Sequence, residues 1–146
     1  MTNQQHINQI KQFNRFYTRV MGIFKDKSEY TATEAMVLYE IKNKERCTAA
    51  YLTEYFDLDK STISKVIKKL TNKKLLGKSI AEEDKRMHIL HLTFLGEEVL
   101  NQLLARASNV VDQVIKPIPE DEMKKLLQAM SQIEEILQKN IKIEGD

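Results

Sequence analysis

The stretch Asp59-Lys60-Ser61-Thr62-Ile63-Ser64-Lys65-Val66-Ile67-Lys68-Lys69-Leu70-Thr71-Asn72-Lys73 decides how this chain is read. Ile63, Val66, Ile67 and Leu70 stand at i, i+3, i+4 and i+7, the spacing of one buried helical face. The opposite face carries Ser61, Thr62, Lys65, Lys68, Lys69 and Asn72, and Asp59 is placed to cap the helix at its start. A merely solvated helix usually mixes signs and gains i,i+4 ion pairs. This one accumulates like charge instead: from Lys60 to Lys78 there are seven lysines and no acid. An anionic partner outside the chain is the simplest compensation.

Upstream, Asp57-Leu58-Asp59 is a tight turn, and the short segment before it, capped by Thr48, predicts a helix to about Phe56. Thr31-Ala32-Thr33-Glu34 is a capping box that opens another helix over about 32–43. Downstream, Leu76 to Ala81 and Met87 to Thr93 read as two short strands joined by the charged loop Glu82-Glu83-Asp84-Lys85-Arg86. In the second strand His88, Leu90 and Leu92 alternate with Met87, Ile89 and His91. Such a hairpin is marginal alone and must lean on the helices. Helix, short helix, tight turn, helix, hairpin is the order of a winged helix-turn-helix, whose second short helix enters the DNA major groove.

Two long amphipathic regions flank this middle. Ile7, Ile10, Phe13, Tyr17, Met21 and Phe24 recur at three- and four-residue steps, predicting a helix from about His6 to Phe24. Thr93 caps a fifth helix to about Ile115, with Leu95, Val99, Leu103, Val110 and Val114 as its expected stripe. After Pro117-Ile118-Pro119, with Pro119 expected in the first helical turn, a sixth helix carries Met123, Leu126, Leu127, Met130, Ile133, Ile136, Leu137 and Ile141. These arms hold more apolar stripe than so small a middle section covers, which predicts a two-fold dimer.

Composition fits this reading. The 146 residues suit one compact domain, and only four Gly and two Pro predict a mostly α chain. Net charge is +2, but residues 117–146 hold seven acids against four lysines, so charge is segregated along the chain. Met1 to Lys11 has no hydrophobic signal core, no apolar run is long enough to span a bilayer, and one cysteine allows no intrachain disulfide. A cytoplasmic protein is expected.

Asp59 to Lys65, then Leu70, Asp84-Lys85-Arg86 and Leu92-Thr93-Phe94-Leu95-Gly96 together resemble the MarR family of bacterial transcriptional regulators. The wing-tip Asp-x-Arg followed by Leu-Thr-x-x-Gly is the more specific part, and the likeness covers essentially the whole chain. Phe13 to Arg19 is similar to a subgroup fused to an acetyltransferase, but no such second domain is expected within these 146 residues. The resemblance implies a single domain over 1–146, with a DNA-binding lobe over 27–93 and dimerisation helices over 1–26 and 94–146. It implies a homodimer on a palindromic operator in double-stranded DNA, repression as the default, and control by a small-molecule effector. Lys60, Ser61, Thr62, Ser64, Lys65, Lys68, Lys69 and Arg86 are then the expected DNA contacts. Asp84 would orient Arg86, whose guanidinium suits a narrow minor groove. Phe13, Phe16, Tyr17, Phe24 and Tyr39 are candidate walls of an effector pocket, or plain core. The chain departs from the family pattern at Asp57 and Lys74, where Gly is usual, at Lys78, where Arg is common, and at Thr53, where Ala is usual.

Other functions are weaker fits. No catalytic motif is present, so an enzyme is not expected, nor is a cofactor. His88 and His91 are three apart on a strand and point to opposite faces, so no metal site is expected. Cys47 precedes a helix N-terminus near Lys44 and Arg46, which would depress its pKa, so a redox-responsive regulator sensing through Cys47 is an alternative. A helical protein–protein adaptor is the alternative of a different class. It explains the stripes but not the lysine run.

Overall fold

The computed structural model describes residues 1–22 and 28–141. The elements in order are α1 (Asn3–Val20), α2 (Ala32–Asn43), α3 (Ala49–Phe56), α4 (Lys60–Asn72), β1 (Leu76–Ile80), β2 (His88–Leu92), α5 (Phe94–Ile115) and α6 (Glu120–Asn140). The fold is mostly helical, a winged helix-turn-helix with a two-stranded wing between long N- and C-terminal helices.

Local capping chemistry sets the helix starts. The Glu34 N–H donates to Thr31 Oγ1 at 3.1 Å while the Thr31 N–H donates to Glu34 Oε1 at 2.9 Å, completing the expected box. Thr48 accepts from the Tyr51 N–H at 3.1 Å and Thr93 from the Gly96 N–H at 3.0 Å. A second capping box, Thr2 with Gln5, opens α1 and starts that helix three residues before the expected His6. At its other end α1 stops at Val20, short of the expected Phe24, with Met21 as C-cap. Phe24 itself lies outside the described residues. Pro119 caps α6 from outside in an extended conformation, not from within the first turn. Asp59 stands at the N-cap of α4, but its side chain makes no bond to the helix backbone. It accepts the hydroxyls of Ser61 and Thr62 instead.

The core sits where α2, α3, α4 and α5 meet the wing. Val37, Leu38, Cys47, Leu52, Ile63, Leu70, Leu75 and Leu100 are its most deeply buried members. Each aliphatic side chain among them contributes about 1.5–3 kcal/mol by leaving water. β1 and β2 pair antiparallel from Leu76 with Leu92 to Ile80 with His88. Leu76, Leu90 and Leu92 share the inner face, and Leu76 and Leu90 are buried. Cys47 adds a short bridge on the far side, accepting from the Leu90 N–H at 2.8 Å.

The α5 stripe holds at Val99 and Leu103, which pack on the core, and departs from expectation in its first turn. Gly96, Leu100 and Leu103 are the buried residues, while Leu95 is 46% exposed. The Thr93 cap aims the first turn so that Gly96, not Leu95, faces the wing. There a β-carbon on Gly96 would stand 2.2 Å from the Leu75 carbonyl oxygen. α1 and α6 bury no residue within the chain.

Candidate nucleic-acid interface

α3 and α4 are joined through Asp57, which adopts the left-handed conformation (φ 51°, ψ 46°). Asp tolerates this region better than most residues, so the turn survives without the usual Gly. Lys74, at the end of α4, takes φ 65° in the same way. Ile63, Ile67 and Leu70 turn α4 inward. Ser61, Ser64, Lys65 and Lys68 are exposed along its outer face, Lys60 is exposed at its start, and Thr62 is half-buried.

The N-terminus of α4 holds a hydrogen-bonded cluster. Ser61 Oγ donates to Asp59 Oδ2 at 2.7 Å, and Thr62 Oγ1 donates to Asp59 Oδ1. The Thr62 hydroxyl, then that of Ser61, holds the Asp59 carboxyl below its ordinary range. Both hydroxyl protons are thereby committed, and the hydroxyls present lone pairs outward.

Lys69 stands apart from the other lysines. Its ammonium is 2.8 Å from Glu34 Oε1, and Glu34 is buried. Burial pushes the Glu34 carboxyl up. The hydrogen bonds from Lys69 and the Thr31 N–H, with the Lys69 charge, outweigh burial and hold it below its ordinary value. Lys73 pairs with Glu29 at 3.0 Å, and both ammonium groups lie over the Tyr30 ring. The sequence pattern placed Lys69 with the outward lysines. Its partner is 35 residues away in the chain, and local spacing carries no sign of it.

At the wing tip the Arg86 N–H donates to Asp84 Oδ1 at 3.0 Å and Nε stands 3.4 Å from the same oxygen. The Arg86 side chain remains 93% exposed. Glu83 pairs with Arg46, a partner outside the hairpin that sequence reasoning missed. Thr93 welds the wing to α5: its N–H donates to the Leu75 carbonyl at 2.9 Å and its Oγ1 to the Lys74 carbonyl at 2.7 Å. Thr93 and Gly96, the most distinctive motif positions, are therefore packing residues.

The described pocket candidates fall in two places, Tyr39 on a cavity and Phe13, Phe16 and Tyr17 on α1, where Phe13 stacks on Tyr17. The cavity, of about 510 Å³, lies between α2, α3, α5 and the end of α1. Of the candidates Tyr39 lines it, with Tyr30, Met36, Tyr55, Phe56 and Leu104. Phe13, Phe16 and Tyr17 lie on the exposed face of α1 instead.

The redox alternative is corrected. Cys47 is fully buried, because the chain at this point forms a single bridge against Leu90. Burial first, and the Glu40 carboxylate second, push its thiol up to about 11, outweighing Lys44. The Arg46 side chain turns instead to Glu83. This is the opposite of the exposed, low-pKa thiol that sensing needs. The His91 ring packs over Gly77 on the wing. Among the described residues no cluster of three His, Cys, Asp or Glu side chains could hold a metal ion, and no helix is long and apolar enough to cross a membrane.

Residues 31–96 match the model of a winged helix DNA-binding domain. An uncharacterised HTH-type transcriptional regulator of Staphylococcus aureus is 25% identical over 141 residues, covering 95% of this chain and 97% of its own. Staphylococcus aureus MarR, solved in complex with salicylate and kanamycin, superposes with a TM-score of 0.73 at 25% identity over 94% of this chain and 93% of that one. Streptococcus pneumoniae FabT in complex with DNA gives 0.73 at 16% identity over 94% and 99%. Apo MarR of Escherichia coli gives 0.71 at 18% over 91% and 97%. The chain thus contains a winged helix DNA-binding domain, and over nearly all its length it resembles the MarR family of bacterial transcriptional regulators.

Proposed function

We propose that this protein is a sequence-specific transcriptional regulator that binds a palindromic operator as a homodimer, represses by default and is released by a small-molecule effector. It acts without enzymatic chemistry, in the cytoplasm. One observation carries the reading: α4 exposes Lys60, Ser61, Ser64, Lys65 and Lys68 with no acid among them, in a lobe whose wing tip carries Arg86 with its side chain 93% exposed. In this account the lobe over 27–93 holds the DNA and the arms over 1–26 and 94–146 hold the partner copy. Lys60, Lys65 and Lys68 neutralise phosphates, Ser61, Thr62 and Ser64 meet base edges, and Arg86 enters the minor groove, steadied by Asp84. Lys69, paired with Glu34, serves the fold first. The adaptor alternative has no observation in its favour.

The effector site in this reading is the cavity beside Tyr39, Tyr30 and Tyr55. Its apolar walls and aromatic rings suit a small aromatic molecule, as Staphylococcus aureus MarR binds salicylate. An occupied cavity would favour a dimer whose two α4 helices no longer match one DNA turn.

A salt titration on DNA from upstream of the gene, with random DNA alongside, tests the whole reading. Affinity should fall by roughly 10³–10⁵ between 50 and 200 mM salt, with a clear preference for the upstream fragment. A flat salt response would return the adaptor reading. Arg86→Ala should weaken operator binding and leave dimerisation intact, and Lys65→Ala should lower affinity across operator variants.

A further inference from the structure

We infer that Arg46 is a positioning residue for DNA binding that acts through Glu83 at the wing tip. The inference rests on the reading that the wing approaches DNA. The tip carries three successive acids, Glu82, Glu83 and Asp84, directly before Lys85 and Arg86. Unmasked acids next to a groove-seeking arginine oppose its approach to a polyanion. Asp84 is engaged by Arg86 and Glu83 by Arg46.

Three features show that Arg46 is placed for this. It lies in the connection between α2 and α3, outside the hairpin, so its charge is supplied from a separate element. Its backbone takes φ 54°, a left-handed conformation uncommon for a non-glycine residue. The next residue, Cys47, is fully buried and accepts the Leu90 N–H at 2.8 Å, which fixes the segment against β2. Residues 46 and 47 thus grip the hairpin at two points, its middle through Leu90 and its tip through Glu83. A two-stranded hairpin has little rigidity of its own. The Arg46–Glu83 pair is half exposed, so its contribution to folding is small. Its effect falls on the approach to DNA.

The test compares operator affinity and thermal midpoint for four variants of the full chain. Arg46→Ala should weaken binding by roughly threefold to tenfold, the scale of one unmasked charge near a phosphate, with little change in melting. Arg46→Lys should retain most of the affinity. Glu83→Gln in the Arg46→Ala background should restore affinity to within about twofold of the parent, because the exposed acid is gone. A double variant as weak as Arg46→Ala would mean that Arg46 touches DNA directly, and would overturn the inference. So would an unchanged Arg46→Ala beside a weakened Arg86→Ala. An unchanged Arg86→Ala would overturn the wing reading itself, independently of Arg46.

Discussion

Two side chains of α4 with the same sequence pattern do different work. Lys68 is exposed, whereas Lys69 satisfies a buried carboxylate. Replacing Lys69 by Met leaves Glu34 ionised, buried and short of a donor. That should cost about 1–3 kcal/mol at neutral pH, measured by urea unfolding. The pH dependence has a definite sign. Glu34 is held below its ordinary value in the folded state, so its contribution is full above the unfolded value of 4.5 and is lost as pH falls through the folded one. Lys69→Met should therefore flatten the acid side of the stability curve. An unaltered curve with a reduced salt slope on DNA would make Lys69 a phosphate contact after all. At the start of α4, Ser61 and Thr62 give their protons to Asp59; under the proposed function they would meet bases as acceptors, which favours the amino groups of adenine or cytosine. Asp59→Ala frees those protons. Selection from a randomised operator should then show altered base preference at the positions they face, with affinity for random DNA little changed.

At the scale of elements, the wing is held by a seam with α5. Thr93 binds the carbonyls of Lys74 and Leu75 and caps α5, and Gly96 lets the helix approach the Leu75 carbonyl. No other residue fits there: a β-carbon at 2.2 Å from a backbone oxygen forces strand and helix apart. Gly96→Ala should destabilise by about 1–3 kcal/mol in chemical unfolding, and wild-type stability would remove the seam from this account. The Leu-Thr-x-x-Gly motif was legible as a family feature in the sequence. Its physical role was not, because the contact at Leu75 comes from an element 21 residues earlier. The helix boundaries around it were legible, since Thr31, Thr48 and Thr93 announce their own helices through local bonds. The α5 stripe was legible at Val99 and Leu103, but not at its first turn, where Leu95 and Leu100 are equally apolar and only the wing decides that Leu100 faces inward.

At the scale of the molecule, α1 and α6 are long, amphipathic and unburied within one chain. Phe13 is 50% and Ile136 60% exposed, with Ile10, Phe16 and Leu137 nearby on the same helices. Contiguous apolar surface of this kind needs a partner. Phe13→Glu or Ile136→Glu should shift the sedimenting species from twice 17.0 kDa toward 17.0 kDa. Operator affinity should drop with it by roughly a thousandfold toward the non-specific level, since one recognition helix reads only half a site. A variant that stays dimeric and keeps its affinity would move the dimer interface elsewhere.

By itself the sequence determined the element order, the inward face of α4, the caps at Thr31, Thr48 and Thr93 and the basic outer surface, because each depends on residues a few positions apart. Helical and strand periodicities, and hydroxyl-to-backbone caps, are local properties that a chain carries wherever it goes. Tertiary structure alone decided which charges are paired within the chain and which remain exposed. Glu34 claims Lys69, Arg46 claims Glu83, and Leu90 draws Cys47 out of reach of oxidants. It also separated Tyr39, on the cavity, from Phe13, Phe16 and Tyr17, on the arm. An ion pair or a shared cavity needs two side chains at contact distance, and the distance between segments tens of residues apart is set only when the core closes between them.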